Sequence, residues 1–180
     1  MNTRLREAKI SDVDDLIAIS RNPQVAMHQY RRTPGDEMMF REVIENGSFG
    51  PNQDCKLNTI LFKSDLVGYV VTAMTEHEDA RLAQCGWDLH PDFWGQGIMT
   101  ESLHWHFNEL FDCHDRTHLI AECFSSNRRC IRLMDRIGLV RWRIPLTDRI
   151  YRMWHSKSLK WLLRFGTSIE TWSHKTINAE

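Results

Sequence analysis

The chain reads as a mixed α/β protein whose sheet has an antiparallel front and a parallel centre. Three observations predict this. Apolar spacing changes from a helical repeat of about 3.6 residues to an alternating repeat of about two. Two runs rich in β-branched and aromatic residues, "KLNTILF" and "LVGYVVTAM", are separated only by Lys63-Ser64-Asp65, which is hairpin spacing. A strand, a glycine loop, a helix, a strand and a helix then follow between residues 81 and 138, the order of a parallel pair joined by a right-handed crossover.

Each element has a local reason. "TRLREAKISDVDDLIAIS" predicts a short strand and then a helix, with Ser11 as cap and Asp14 three residues on, a relative of the capping box. "GDEMMFREVIEN" opens with acids and stops before Gly47, the marks of a second helix. "GSFGPNQD" is a loop. After the hairpin, "TEHEDA" is a polar turn and "RLAQCGWDLH" a third antiparallel strand. "IMTESLHWHFNELFDC" carries a helical stripe of Ile98, Leu103, Phe107, Leu110 and Phe111. "THLIAECF" is a buried strand, and "SNRRCIRLMDRIG" a helix capped by Ser126 or Asn127 and stopped by Gly138. In the tail, "LVRWRI" and "RIYRMWH" predict strands and "SLKWLLRFG" a short amphipathic helix ended by Gly166.

At 180 residues with 42% hydrophobic content, the chain can bury a core and suits one domain. We expect residues 1–145 to form the body and 146–180 a basic, Trp-rich extension of it. Net charge is −1, but residues 141–180 hold eight Lys or Arg against three acids, +5 against −6 for the rest. A basic tail can meet RNA, a ribosomal or other acidic partner, or its own acidic body. Trp142, Trp154, Trp161 and Trp172 can pack that tail, form an oligomer contact or stack on bases. Five scattered cysteines without a CxxC suit reduced thiols, and no leader pattern or long apolar run appears. These point to the cytoplasm, with no membrane partner, as a monomer or homodimer.

The stretch "PDFWGQGIMTESL" places Gly95 and Gly97 just ahead of a helix. A helix start offers unpaired N–H groups and a positive dipole end, and glycines let backbone approach an anion closely. A tight turn that merely needs positive φ is the competing explanation. A nucleotide P-loop fits poorly because Ile98 and Met99 follow Gly97 and no Lys stands there. A dinucleotide site fits poorly: Thr100 stands where a third glycine belongs, and an antiparallel hairpin does not precede such a loop.

"GWDLHPDFWGQGIMTESL" followed by "AECFSSNRRCIRLMDRIGLVRW" resembles the acetyl-CoA-binding core of the GNAT superfamily of N-acetyltransferases. More narrowly it is similar to the ribosomal-protein N-terminal acetyltransferase branch of RimJ/RimL type, over about Leu5 to Trp142. The resemblance implies a GNAT fold whose central parallel strands splay around acetyl-CoA. It implies that the backbone of Trp94, Gly95, Gln96, Gly97, Ile98, Met99 and Thr100 holds the pyrophosphate. The open edge at Trp87-Asp88-Leu89 would pair with pantetheine. Asn127 would contact the cofactor arm, and Cys130 stands where the branch has a serine beside the departing thiolate. Three positions depart from the pattern. The superfamily's tyrosine acid is Met134, the branch glutamate of the fourth strand is Gln84, and the C-terminal hairpin motif is not recognisable beyond Trp142.

Acetyl transfer from a thioester to a primary amine needs positioning, a proton acceptor, an oxyanion donor and a stabilised thiolate. By family analogy an N–H near Leu89 is the oxyanion donor. Cys130 is expected in the first turn of a helix, where its thiol pKa should fall below about 8.5; it either assists the thiolate or fills a serine-sized space. Asp88, Glu122, Glu76, Glu78 and water chains compete as base. His104, His106, His114 and His118 show no zinc spacing, so no metal is expected. Two function classes remain open: an acetyltransferase, acting on a protein N-terminus or a small-molecule amine, and a non-catalytic acyl-CoA-binding module.

Overall fold

The computed structural model describes residues 2–29, 36–48, 54–77, 80–141 and 162–172. In chain order the elements are β1 (Thr3–Glu7), α1 (Val13–Arg21), α2 (Pro23–Ala26), α3 (Asp36–Asn46), β2 (Asp54–Phe62), β3 (Asp65–His77), β4 (Ala80–Leu89), α4 (Ile98–Asp112), β5 (His118–Phe124), α5 (Arg128–Arg136), β6 (Val140–Arg141) and β7 (Leu162–Ser168). One seven-stranded sheet runs β1-β2-β3-β4-β5-β7-β6. β4 and β5 pair in parallel and all other neighbours are antiparallel, the mixed architecture expected from the sequence.

Strand alternation divides the core into two layers. On one face Val70, Cys85, Ala121 and Cys123 pack with Leu103, Phe107 and Leu110 of α4 and Ile131 and Met134 of α5. On the other, Leu57 and Tyr69 pack with Leu16 and Ile19 of α1 and Phe40 and Val43 of α3. The β2–β3 hairpin turns through Lys63 and Ser64, both at positive φ, which fixes the register Phe62↔Asp65.

Two expectations change, and one short helix is added. Ser11 lies in a 3-10 turn over Ile10–Asp12, and Asp12 is the cap residue of α1. Its carboxylate turns back to accept Lys9 N–H at 2.7 Å and the Arg6 guanidinium at 2.7 and 2.9 Å. Asn22 caps the extra one-turn helix α2 by accepting Gln24 N–H. From Leu162 on, the expected tail helix ended by Gly166 is strand β7 instead, and residues 158–161 lie outside the described residues. Phe165 is fully buried in the core layer that α4 and α5 cover, Arg164 points to the opposite face, and Gly166 is an interior position opposite Ile120 and Val140. A short apolar run fits either repeat, and the open flank of β5 decided the outcome. "LVRWRI" is strand at Val140–Arg141, after Leu139, with residues 142–144 and "RIYRMWH" lying outside the described residues. Trp172 seals the tail against α4, its indole donating to Asn108 Oδ1 at 2.7 Å; Trp142, Trp154 and Trp161 lie outside the described residues. Among the described residues no helix is long and apolar enough to cross a membrane.

Candidate active site

Pairing between β4 and β5 ends at Cys85↔Ala121, although β4 continues to Leu89 and β5 to Phe124. The two strands therefore part and leave an edge open in the middle of the sheet. Antiparallel neighbours alternate between bonded and non-bonded pairs. His90 N–H reaches Val67 O at 2.8 Å, so the next pair, Gly68↔Leu89, is non-bonded, and so is Val70↔Trp87. The backbone groups of Trp87 and Leu89 thus point away from β3 into the gap. Leu89 O is taken by the Trp94 indole at 2.7 Å, and its N–H faces the cleft.

Beyond β4 the chain turns through a 3-10 segment at Pro91–Phe93 into the N-terminus of α4. Gly97 caps α4 in the left-handed region at φ 79°, and Gly95 sits at φ 78°. Both need glycine to avoid backbone strain. Gln96 folds back, its amide donating to Asp92 O at 3.0 Å.

A cleft of about 370 Å³ occupies the gap. Of the sequence-predicted residues, Trp87, Asp88, Leu89, Trp94, Gly95, Gly97, Ile98, Met99, Thr100, Asn127 and Cys130 line it. Gln96 and Glu122 do not. Glu122 faces its cross-strand partner Arg164, with Arg164 Nε and Nη2 each 2.8 Å from Oε1. Glu76 takes its place in β3 opposite Arg81, and Glu78 is outside the described residues. The cleft also takes in Val25, His28, Phe93, Leu133 and three arginines, Arg129, Arg132 and Arg136. The arginine stripe was visible as i, i+3, i+7 spacing in "RRCIRLMDR"; Arg129 stacks 4.6 Å over the Trp94 ring. Nothing in local sequence signals that α2 brings His28 to the cleft.

Asp88 sits across from Tyr69 in the β3–β4 ladder. Its carboxylate accepts the Tyr69 hydroxyl and, at 2.7 Å, the amide of Gln29. Gln29 in turn reaches Ser20 Oγ at 3.3 Å. Gly68 next to this pair has no room for a side chain: an added Cβ would lie 2.5 Å from Asp88 O.

Asn127 Oδ1 caps α5 by accepting Cys130 N–H at 3.1 Å. Cys130 is partly exposed in the cleft, but its thiol is not acidified as expected. A hydrogen bond to Cys123 comes first among the causes that hold its pKa well above the ordinary range, followed by burial and the nearby Asp88 charge; the Trp87 indole opposes them only in part. These contacts outweigh the helix-start effect.

Three of the histidines on or next to α4 make packing and hydrogen-bond contacts away from the cleft. His106 is buried between Thr72 Oγ1 at 2.8 Å and Asn58 Nδ2 at 3.3 Å, His114 meets Lys56 at 2.8 Å, and His104 stacks on Trp172. Among the described residues no three His, Cys, Asp or Glu side chains converge as a metal set.

No curated protein matches the sequence. Among solved structures the fold is similar to ribosomal-protein-S5-alanine acetyltransferase from Vibrio fischeri (13% identity, 96% of each chain, TM-score 0.70). It is also similar to Mycobacterium smegmatis RimJ in complex with CoA-disulfide (15% identity, 93% of this chain and 82% of that one, TM-score 0.72), and to RimL, the ribosomal L7/L12 alpha-N-protein acetyltransferase (16% identity, 94% and 91%, TM-score 0.72). The family model for the acetyltransferase (GNAT) domain matches residues 2–140, the span that builds β1 to α5, the gap between β4 and β5 and the glycine loop, so the chain belongs to the GNAT acetyltransferase family.

Proposed function

We propose that the cleft binds acetyl-CoA and that the protein transfers the acetyl group directly to a primary amine, with a protein N-terminal α-amine as the acceptor class. The observation that carries this reading is the end of β4–β5 pairing at Cys85↔Ala121, which turns the Trp87 backbone groups and the Leu89 N–H towards the gap, where an amide-bearing ligand can pair with them. The residues present fit that ligand. Gly95 and Gly97 open the helix start of α4 to phosphate oxygens, and Arg129, Arg132 and Arg136 bring positive charge to the same cleft. The likeness to ribosomal-protein acetyltransferases favours the protein amine.

Acetyl-CoA supplies an activated acyl thioester. Asp88, with two donors fixing its carboxylate, receives the proton that the attacking ammonium must lose. Leu89 N–H stabilises negative charge developing on the carbonyl oxygen. Cys130 steadies the departing sulfur as a neutral thiol, since its contacts oppose ionisation. Glu122, tied to Arg164, balances a charge of β7 outside the cleft, which leaves Asp88 as the carboxylate at the reaction centre.

Thermal shift with acetyl-CoA, CoA, ATP and NAD in parallel tests the ligand. At about 100 times its Kd a ligand stabilises by about 2.7 kcal/mol. Stabilisation by acetyl-CoA and CoA alone is expected; none with either overturns the reading. Turnover with amines then separates a transferase from a module that only binds.

A further inference from the structure

Three arginines share one face of α5 beside the cleft. Arg129, Arg132 and Arg136 stand at i, i+3 and i+7, the spacing of a single helix face, and all three line the cleft while their side chains stay exposed. Elsewhere Arg6, Arg41, Arg81 and Arg164 each meet a carboxylate. Among the described residues none of the three α5 arginines is ion-paired with an acid, and Asp88 is the sole acid among the described residues that line the cleft. The cleft therefore carries surplus positive charge, which suits a ligand with several negative groups. The stripe also has length. Arg129 stacks 4.6 Å over the Trp94 ring, whose indole donates to Leu89 O at 2.7 Å, so this arginine is fixed beside the glycine loop and the end of β4. Arg132 and Arg136 follow, each about one turn further along α5. At 1.5 Å rise per residue, Arg136 lies about 10 Å from Arg129 along the helix axis. The two adjoining phosphates of a pyrophosphate at the glycine loop do not span that length. A third phosphate, set apart from the first two, does.

We propose that Arg132 and Arg136 hold the ribose 3′-phosphate of the CoA moiety, so that the protein selects the phosphorylated acyl donor over its dephospho form. The proposal rests on the acetyl-CoA reading above and adds a specificity to it. The order of groups along the ligand matches the order of residues along the cleft. The reacting end belongs at Asp88 and Cys130, the pyrophosphate at the glycine loop, and the phosphate on the ribose beyond it, where the stripe continues. A phosphate monoester carries a charge of about −1.5 to −2 at pH 7, and the planar guanidinium fork matches its oxygens in pairs. Arg129 is engaged with Trp94, which leaves Arg132 and Arg136 as the two cations for this third group.

The test is calorimetric titration of the full-length protein with CoA and with dephospho-CoA, which differ only by that phosphate. We expect wild type to bind dephospho-CoA about tenfold more weakly at low salt. Each of Arg132→Gln and Arg136→Gln should narrow that ratio, and the double variant should bind the two ligands equally, at the affinity wild type shows for dephospho-CoA. Both side chains are exposed, so these variants should keep the wild-type melting temperature, which circular dichroism checks. Arg128→Gln removes a charge from the same helix at an exposed residue that does not line the cleft, and it should keep the tenfold preference. Wild type that binds the two ligands equally, or a double variant that keeps the wild-type ratio, overturns the assignment and leaves the cofactor reading standing. Equal loss of preference in Arg128→Gln would make the effect one of overall charge and overturns it too. Wild type that binds neither ligand overturns the cofactor reading and this assignment with it.

Discussion

Gln29 Nε2 lies 2.7 Å from Asp88 Oδ2, joining the chain just after α2 to the end of β4 across 59 positions of sequence. With the Tyr69 hydroxyl on the same oxygen, the carboxylate is held in one orientation at the cleft. Asp88→Asn keeps the shape and removes the proton acceptor, so kcat/KM should fall by about 10²–10⁴-fold with CoA affinity unchanged. Gln29→Leu leaves the charge but frees its orientation, for which we predict a loss of about tenfold. Steady-state kinetics with a fixed amine check both, and an Asp88→Asn variant of wild-type rate would remove Asp88 from the chemistry.

The left-handed conformation of Gly97 at the cap of α4 makes Gly97→Ala strained by about 1–2 kcal/mol. The loop can relieve that strain by moving, so calorimetric CoA affinity should drop while the denaturation midpoint changes little. Gly68→Ala is a different case. Its new Cβ meets the Asp88 carbonyl at 2.5 Å, backbone against backbone, and should destabilise the protein by about 1–3 kcal/mol in urea unfolding. A neutral Gly68→Ala would show that the β3–β4 ladder yields there without cost.

His106 sets a pH dependence of stability. Burial, aided by the nearby Lys56 and His114, pushes its pKa down to about 4. In the unfolded chain imidazole takes up a proton near pH 6.5. Between those values the unfolded state binds the extra proton, so stability is full above about pH 6.5 and falls as pH drops towards 4, by about 3 kcal/mol in all. Urea midpoints across that range should decline for wild type and flatten for His106→Gln. Equal slopes would contradict this assignment.

The Arg6–Asp12 pair acts in a lower window. The Arg6 hydrogen bond, with Lys9 N–H and the neighbouring positive charges, outweighs burial and holds the Asp12 carboxyl below its ordinary 3.8. A depressed carboxyl stabilises the fold above about pH 4 and loses that contribution as pH falls through its folded value. Asp12→Asn should cost about 1.5–3 kcal/mol at neutral pH and remove the part of the acid decline that lies below pH 4.

Sequence exposed the parts of the site that local chemistry writes. The glycine pair, the Asn127 cap and the alternation that puts Trp87 and Asp88 on opposite faces are all short-range, and each is found in place. What stayed hidden depends on distant partners. The acidity expected of Cys130 came from its helix position alone, and Cys123, seven residues earlier, reverses it. The part of "SLKWLLRFG" from Leu162 to Gly166 read as helix because its apolar residues fit either period, until pairing with β5 made it a strand. Glu122 is bound to Arg164 by that same pairing, and Gln29 reaches Asp88 through a short helix that local sequence did not announce.

The most direct measurement is the release of CoA thiol from acetyl-CoA on mixing with peptides bearing free N-terminal amines, with mass spectrometry of the peptide. The account predicts amine-dependent thiol release, one acetyl gained per thiol, and loss of both in Asp88→Asn. Acetyl-CoA binding with no thiol released for any primary amine would contradict it and make the cleft a site that holds acyl-CoA without transferring its acyl group.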